Sequence, residues 1–205
     1  RLTDVTGVQT CALPISTIPI IVDANLNDIE NGAKVSANAL YDTLGADACT
    51  VNPFLGFDSL EPFLRYHDKG VFILCRTSNK GSADFQTLRC QTENGTKLFY
   101  EIVAEKAHSW NQYGNIGLVI GATYPEELAA LRSCYPEMPF LIPGAGPQGG
   151  PITLTVRNGM DSKRKGVLLN SSRHILYASC GKDYVEAARN AALELRDEIN
   201  ASLQQ

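Results

Sequence analysis

From Ile18 onward the chain alternates short apolar segments with longer amphipathic ones. The apolar segments are Ile18–Asp23, Ala48–Asn52, Val71–Arg76, Gly117–Gly121, Phe140–Pro143 and Gly166–Asn170. They are rich in Val, Ile, Leu and Phe and nearly unbroken, which suits strands covered on both faces of a parallel sheet. Between them lie helical patterns. Residues 31–44 space Ala33, Ala37, Leu40 and Leu44 three or four apart. Residues 57–67 open with Asp58 and Ser59, both good N-caps. Residues 95–110 are periodic throughout, 124–135 open with Pro125 and two glutamates, and 182–203 form a long amphipathic run. The pattern predicts six strand–helix units in one continuous domain, residues 17–205, with no linker and no low-complexity stretch.

Two α/β architectures suit this alternation, an open doubly wound sheet and a (β/α)8 barrel. The polar residues favour the barrel. They follow nearly every apolar segment: Asp23, Asn52, Thr77 with Ser78, Thr123, Gly144 to Gly150, and Ser171 to Arg173. A barrel gathers all its strand ends at one rim, whereas an open sheet uses mainly those at its switch point. A full barrel needs eight strands and about 250 residues. The expectation is therefore a TIM barrel lacking about its first two βα units.

Composition narrows the reading. The 205 residues are 44% hydrophobic and carry a net charge of -4, which gives no footprint for nucleic acid or a membrane surface. No apolar run approaches the roughly 20 residues of a membrane span. Six cysteines without metal-site spacing read as reduced thiols and point to the cytoplasm. "TGVQTCALPIS" lacks the basic and apolar regions that precede a signal-peptide cleavage site, and it resembles a translated sequencing adapter. Residues 1–16 are accordingly expected to be a non-native segment joined to a gene fragment.

Four stretches carry candidate chemistry. In "IPIIVDANLNDIENGAK", Asp23 and Asn25, two apart on a strand, share one face and are expected to point into the barrel mouth, and Asp28 follows where the next helix begins, able to serve as its cap. "PFLIPGAGPQGG" runs a buried strand into a glycine-rich loop whose backbone N–H groups can face an anion. "GVLLNSSRHILYAS" sets Ser171, Ser172 and Arg173 directly after a strand, and arginine's planar fork suits a phosphate. In "CRTSNKGS", Thr77, Ser78 and Asn79 offer groups for a polar heterocycle, or equally a local turn. His67, His108 and His174 have no partners at metal-ligand spacing; the first two read as surface helix residues and Trp110 as packing.

Together "DANLNDI", "NPFLGFDSLEPFL", "GVFILCRTSNKGSADFQ", "GLVIGATYPEELAALR", "IPGAGPQGG" and "NGMDSKRKGVLLNSSRHILYAS" resemble the bacterial orotidine 5'-phosphate decarboxylases, most of all their longer subgroup, over about residues 18–200. The resemblance implies a (β/α)8 homodimer that converts orotidine 5'-phosphate to UMP without metal or cofactor. The family's Asp-x-Lys-x-x-Asp signature falls on Asp23, Asn25 and Asp28. Its first carboxylate lies beside the substrate's own, its lysine protonates C6 as carbon dioxide leaves, and its last aspartate reaches the partner's substrate. The phosphate grip falls on Gln148 and Arg173, with Pro143, Gly144, Gly146 and Ser172 around it, and the pyrimidine contact on Ser78 and Thr77.

The departures from that pattern matter. Asn25 replaces the lysine and cannot donate a proton near neutral pH, so turnover is expected to be poor. Glu30 and Gly32 stand where a small residue and a threonine are expected, Pro147 lacks an N–H, and His174 replaces a glycine. The family's first two strands, with an aspartate and a lysine of the charge network, have no counterpart. Two other expectations remain open: a non-catalytic nucleotide-phosphate binder, and another phosphosugar decarboxylase of the same superfamily, against which "NSSR" and "CRTSN" argue.

Overall fold

The computed structural model describes residues 18–146 and 150–203. In chain order its elements are β1 (Ile21–Leu26), α1 (Glu30–Asn38), β2 (Ala48–Val51), α2 (Phe57–Leu64), β3 (Gly70–Arg76), β4 (Arg89–Thr92), β5 (Gly95–Leu98), α3 (Phe99–Trp110), β6 (Ile116–Ile120), α4 (Pro125–Cys134), β7 (Phe140–Pro143), α5 (Ile152–Gly159), β8 (Val167–Asn170), α6 (Ser172–Leu176) and α7 (Tyr184–Ser202). Six strands form one sheet in the order β1-β2-β3-β6-β7-β8, and β4 pairs with β5 in a separate hairpin. The chain divides into two compact units. The first runs to Leu74 and adds Glu105–Gly117; the second takes Cys75–Ala104 and everything from Leu118. Strands β3 and β6 each begin in the first unit and end in the second.

In the first unit β1, β2 and β3 are parallel, with Ala48 to Val51 paired to Gly70 to Ile73. All of β2 is buried, in keeping with a run that is apolar except for Thr50. Helix α1 buries Ala33 and Ala37, one helical turn apart, and continues through a π-helical turn, Ala39–Thr43, that buries Leu40 and Tyr41. The Tyr41 hydroxyl donates to the Gly70 carbonyl at 3.0 Å and lies 3.0 Å from the Cys49 Sγ. The Asn115 amide donates to the carbonyls of Leu64, Tyr66 and Lys69, each at 3.2 Å, and so satisfies the carbonyls left open where α2 stops.

In the second unit β6, β7 and β8 are parallel, in register from Leu118↔Phe140 and from Phe140↔Val167. Arg132 ties the amino-terminal side of this unit together. It is 8% exposed and lies flat on Phe140, 3.7 Å from its centroid. Its guanidinium donates to the carbonyls of Gly159, Tyr135, Pro136, Met138 and Gly166. One buried cation thereby satisfies carbonyls from the ends of α4 and α5 and from the entry to β8.

The sequence pattern and the structure differ in several places, among them α5 (Ile152–Gly159), which the pattern does not predict. Strand β1 lies three residues later than expected, so Asp23 and Asn25 sit inside it rather than at its end. Gly95 to Leu98 form β5 rather than the start of a helix, because Glu93–Asn94 make a tight two-residue turn and Gly95, paired with Thr92, takes φ 104°. Asp58 and Ser59 lie inside the first turn of α2 behind Gly56, and neither caps it; Ser59 Oγ instead donates to the Gly56 carbonyl. His67 occupies a turn after α2, stacked on Tyr113, while Trp110 packs on Phe57 as expected.

Burial sets the reactivity of the thiols. It pushes the Cys49 thiol up to about 11, against a smaller lowering by Tyr41, and it raises Cys75 as well. Cys134 and Cys180 are exposed. Since the thiolate is the nucleophile, iodoacetamide at pH 8 is expected to label Cys134 and Cys180 in the native chain, and Cys49 and Cys75 only after unfolding; peptide mass spectrometry reads this directly.

Candidate active site

The predicted site residues of the first unit cluster on an irregularity of β1. Val22 pairs with Cys49 and Leu26 with Val51, so Asp23, Ala24 and Asn25 face the single residue Thr50. This bulge breaks the two-residue alternation, and all three residues are exposed. Asn25 takes φ 50°, a conformation asparagine tolerates better than lysine. The ladder gap leaves the Asn25 N–H without a backbone partner. Thr50 Oγ1 accepts it at 2.9 Å and donates its own proton to Asp23 Oδ1 at 2.8 Å. Thr50 is fully buried.

Asp28 does not cap α1. That N-cap is Ile29, whose N–H donates to Asp28 Oδ1 at 2.8 Å. The Asp28 carboxylate lies over Gly32, where any Cβ would overlap it. Glu30 takes φ 46°, a conformation that favours glycine or asparagine. The Asn52 side chain accepts the Phe54 N–H at 3.0 Å and shapes the turn after β2.

In the second unit Thr77 and Ser78 follow β3 and are half-buried. Gln86 clamps Thr77: Oε1 accepts its N–H and Nε2 donates to its hydroxyl, both at 2.9 Å, while that hydroxyl donates to Asn79 Oδ1 at 2.7 Å. Arg76 lies beneath, 3% exposed. It is paired with Glu127 at 2.6 Å, donates to Ser82, and stacks on Tyr124 at 3.6 Å. A cation whose donors are taken up this way is a rigid base for the turn it supports. Ser78 is held from the other side by Gly121, where a Cβ would come 2.7 Å from the Ser78 N and Cβ.

The glycine loop is stitched at its two described ends. Pro143 accepts the Ala122 N–H at 3.0 Å, and Gly144 accepts that of Gly150 at 3.0 Å. Gly144 and Gly146 take φ 80° and 127°, and Gly144 would place a Cβ 3.5 Å from Ser78 Oγ. Gly150 presses on the Ala122 carbonyl without room for a side chain. Ser171 Oγ lies next to Gly146, so the loop after β7 meets the segment after β8 that carries Ser172 and Arg173. Both of those residues are exposed. Gln148 and Pro147 lie outside the described residues.

The structure thus brings Thr77, Ser78, Pro143, Gly144 and Gly146 into one neighbourhood of the second unit, and Asp23 and Asn25 into one of the first. Sequence reasoning missed Thr50 and Gln86. Thr50 was detectable as a polar residue inside the apolar run "ACTV"; nothing in the sequence marks Gln86. No cluster of His, Cys, Asp and Glu suited to a metal ion occurs among the described residues.

Parallel strands with polar groups at their carboxyl ends place the chain among the (β/α)-barrel enzymes. Residues 8–191 match the profile of the orotidine 5'-phosphate decarboxylase / HUMPS family, and the chain belongs to that family. It is 51% identical over 192 residues to orotidine 5'-phosphate decarboxylase of Dehalococcoides mccartyi strain 195, covering 94% of this chain and 71% of the relative. The Ralstonia pickettii enzyme is 48% identical, with 89% of this chain and 66% of the relative covered. Among solved structures, Leishmania donovani OMP decarboxylase superposes with a TM-score of 0.80 at 42% identity, covering 92% of this chain and 70% of that one.

The contact of Gly121 with Ser78 yields a prediction. Gly121→Ala should destabilise the fold by about 1–3 kcal/mol through overpacking, read by urea unfolding. Gly81→Ala, where the nearest atom is 3.6 Å from the added Cβ, should be nearly neutral.

Proposed function

We propose that this chain is of orotidine 5'-phosphate decarboxylase type and that Asn25 is one cause of an impaired turnover. In this reading Ser78 and Thr77 receive the pyrimidine. Arg173 and Gln148, with Pro143, Gly144, Gly146 and Ser172 around them, receive the phosphate. Asp23 sets a negative charge beside the substrate carboxylate, and Asp28 serves the partner's site in a homodimer. The bond from C6 to the carboxylate breaks, carbon dioxide departs, and the electron pair left at C6 requires a proton. A fixed ammonium would stabilise that carbanion and protonate it; Asn25 offers a neutral amide and does neither. The reading extends to a cytoplasmic enzyme and to residues 1–16 as a non-native segment.

The observation that supports the proposal is the family match over residues 8–191; the resemblance in sequence is what assigns Asp23, Asp28, Ser78 and Arg173 their roles.

Two measurements test it. Calorimetric titration with UMP should show binding to the chain as it stands, weakened at least tenfold by Arg173→Ala, as expected for a charge-assisted phosphate contact. Asn25→Lys should raise decarboxylation, followed as loss of orotidine monophosphate absorbance, by about 10²–10⁴. The lysine has to accept the positive φ of position 25, at a local cost of about 1–2 kcal/mol. Binding without turnover in Asn25→Lys would leave a non-catalytic nucleotide binder. Absence of both would remove the assignment of this activity to the chain.

A further inference from the structure

The Thr50 hydroxyl does two things at once. A hydroxyl has one proton to donate and lone pairs to accept. At Thr50 the lone pair receives the Asn25 N–H at 2.9 Å and the proton goes to Asp23 Oδ1 at 2.8 Å. These bonds join the two bulged residues that carry the signature to a neighbouring strand with no freedom of its own. Strand β2 is buried along its whole length and paired on both sides. Thr50 is 0% exposed, so water cannot replace its hydroxyl. Its branched Cβ restricts χ1, which keeps the oxygen in the gap of the ladder.

The arrangement is specific to the bulge. In a regular parallel pair the Asn25 N–H would meet a backbone carbonyl and Thr50 would have nothing to bridge. With three residues of β1 facing one of β2, the backbone cannot close the gap and a side chain must. Valine has the same shape but would leave the Asn25 N–H unpaired and the Asp23 carboxylate free to turn. Serine would keep both bonds.

We propose that Thr50 is a positioning residue: through one hydroxyl it fixes the Asp23 carboxylate and the backbone of position 25 relative to each other. The catalytic consequence rests on the decarboxylase reading above; the geometric one does not. A group held in place before reaction contributes to the barrier rather than to ground-state affinity.

The experiment compares Thr50→Val and Thr50→Ser in the full chain. The first readout is NMR at pH 7. In Thr50→Val the Asn25 amide should exchange with solvent at least tenfold faster and the Asp23 carboxylate ¹³C resonance should move. In Thr50→Ser both should stay near the parent values. The parent spectrum supplies a check that needs no variant to fold: the Thr50 hydroxyl proton should be protected from exchange and show a cross-peak to the Asn25 amide. The second readout uses the Asn25→Lys background, where Thr50→Val should lower kcat about tenfold with KM within twofold, and Thr50→Ser should restore it. Unchanged Asn25 and Asp23 signals in Thr50→Val, or a freely exchanging Thr50 hydroxyl, would overturn the proposal whatever the activity. A kcat unchanged by Thr50→Val would overturn its catalytic part. An inert Asn25→Lys chain would count against the decarboxylase reading alone, with the NMR arm still deciding the role of Thr50.

Discussion

Parallel strand pairing is the constraint on which the rest depends. Inside the sheet each backbone N–H and C=O has its partner on the next strand, and apolar side chains cover both faces. At the carboxyl ends the ladder stops or slips, and the groups it releases must be satisfied by something else. In this chain several backbone groups at strand ends are satisfied within a few residues of a candidate functional side chain. Thr50 takes the Asn25 N–H, Gln86 takes that of Thr77, and the Arg76 and Pro143 carbonyls take those of Gly121 and Ala122. The partners that complete the fold are therefore the ones that orient the site.

Glycine plays the complementary part where backbones must touch. Gly121 lets β6 end against Ser78, and Gly150 lets the loop after β7 return onto Ala122. Gly32 works differently, since the absence of a side chain there leaves space for the Asp28 carboxylate to fold back over its own helix. Asn25 and Glu30, both at positive φ, lie in the same short segment as Gly32. Asparagine suits the backbone of position 25, which takes φ 50°.

Much of this was legible in the sequence. Unbroken apolar runs reported the buried strands, because a parallel strand has no solvent face to mark with polar residues. Polar groups after each run reported where chemistry sits. What was not legible arose from long-range pairing. The β1 bulge depends on how Val22 and Leu26 register on Cys49 and Val51, and no local periodicity encodes that. The β4–β5 hairpin was hidden because Lys97 and Leu98 extend the helical period backward from Phe99, although Asn94–Gly95 was an available turn signal. The Gln86 clamp on Thr77 and the five carbonyls around Arg132 are contacts between distant segments.

The central claim is that the strand ends of this chain hold a phosphorylated pyrimidine nucleotide. A crystal structure of the chain with UMP tests it most directly. The account predicts phosphate oxygens within hydrogen-bond distance of the Arg173 guanidinium and the pyrimidine edge against Ser78. Nucleotide density away from both residues, at saturating UMP, would contradict it.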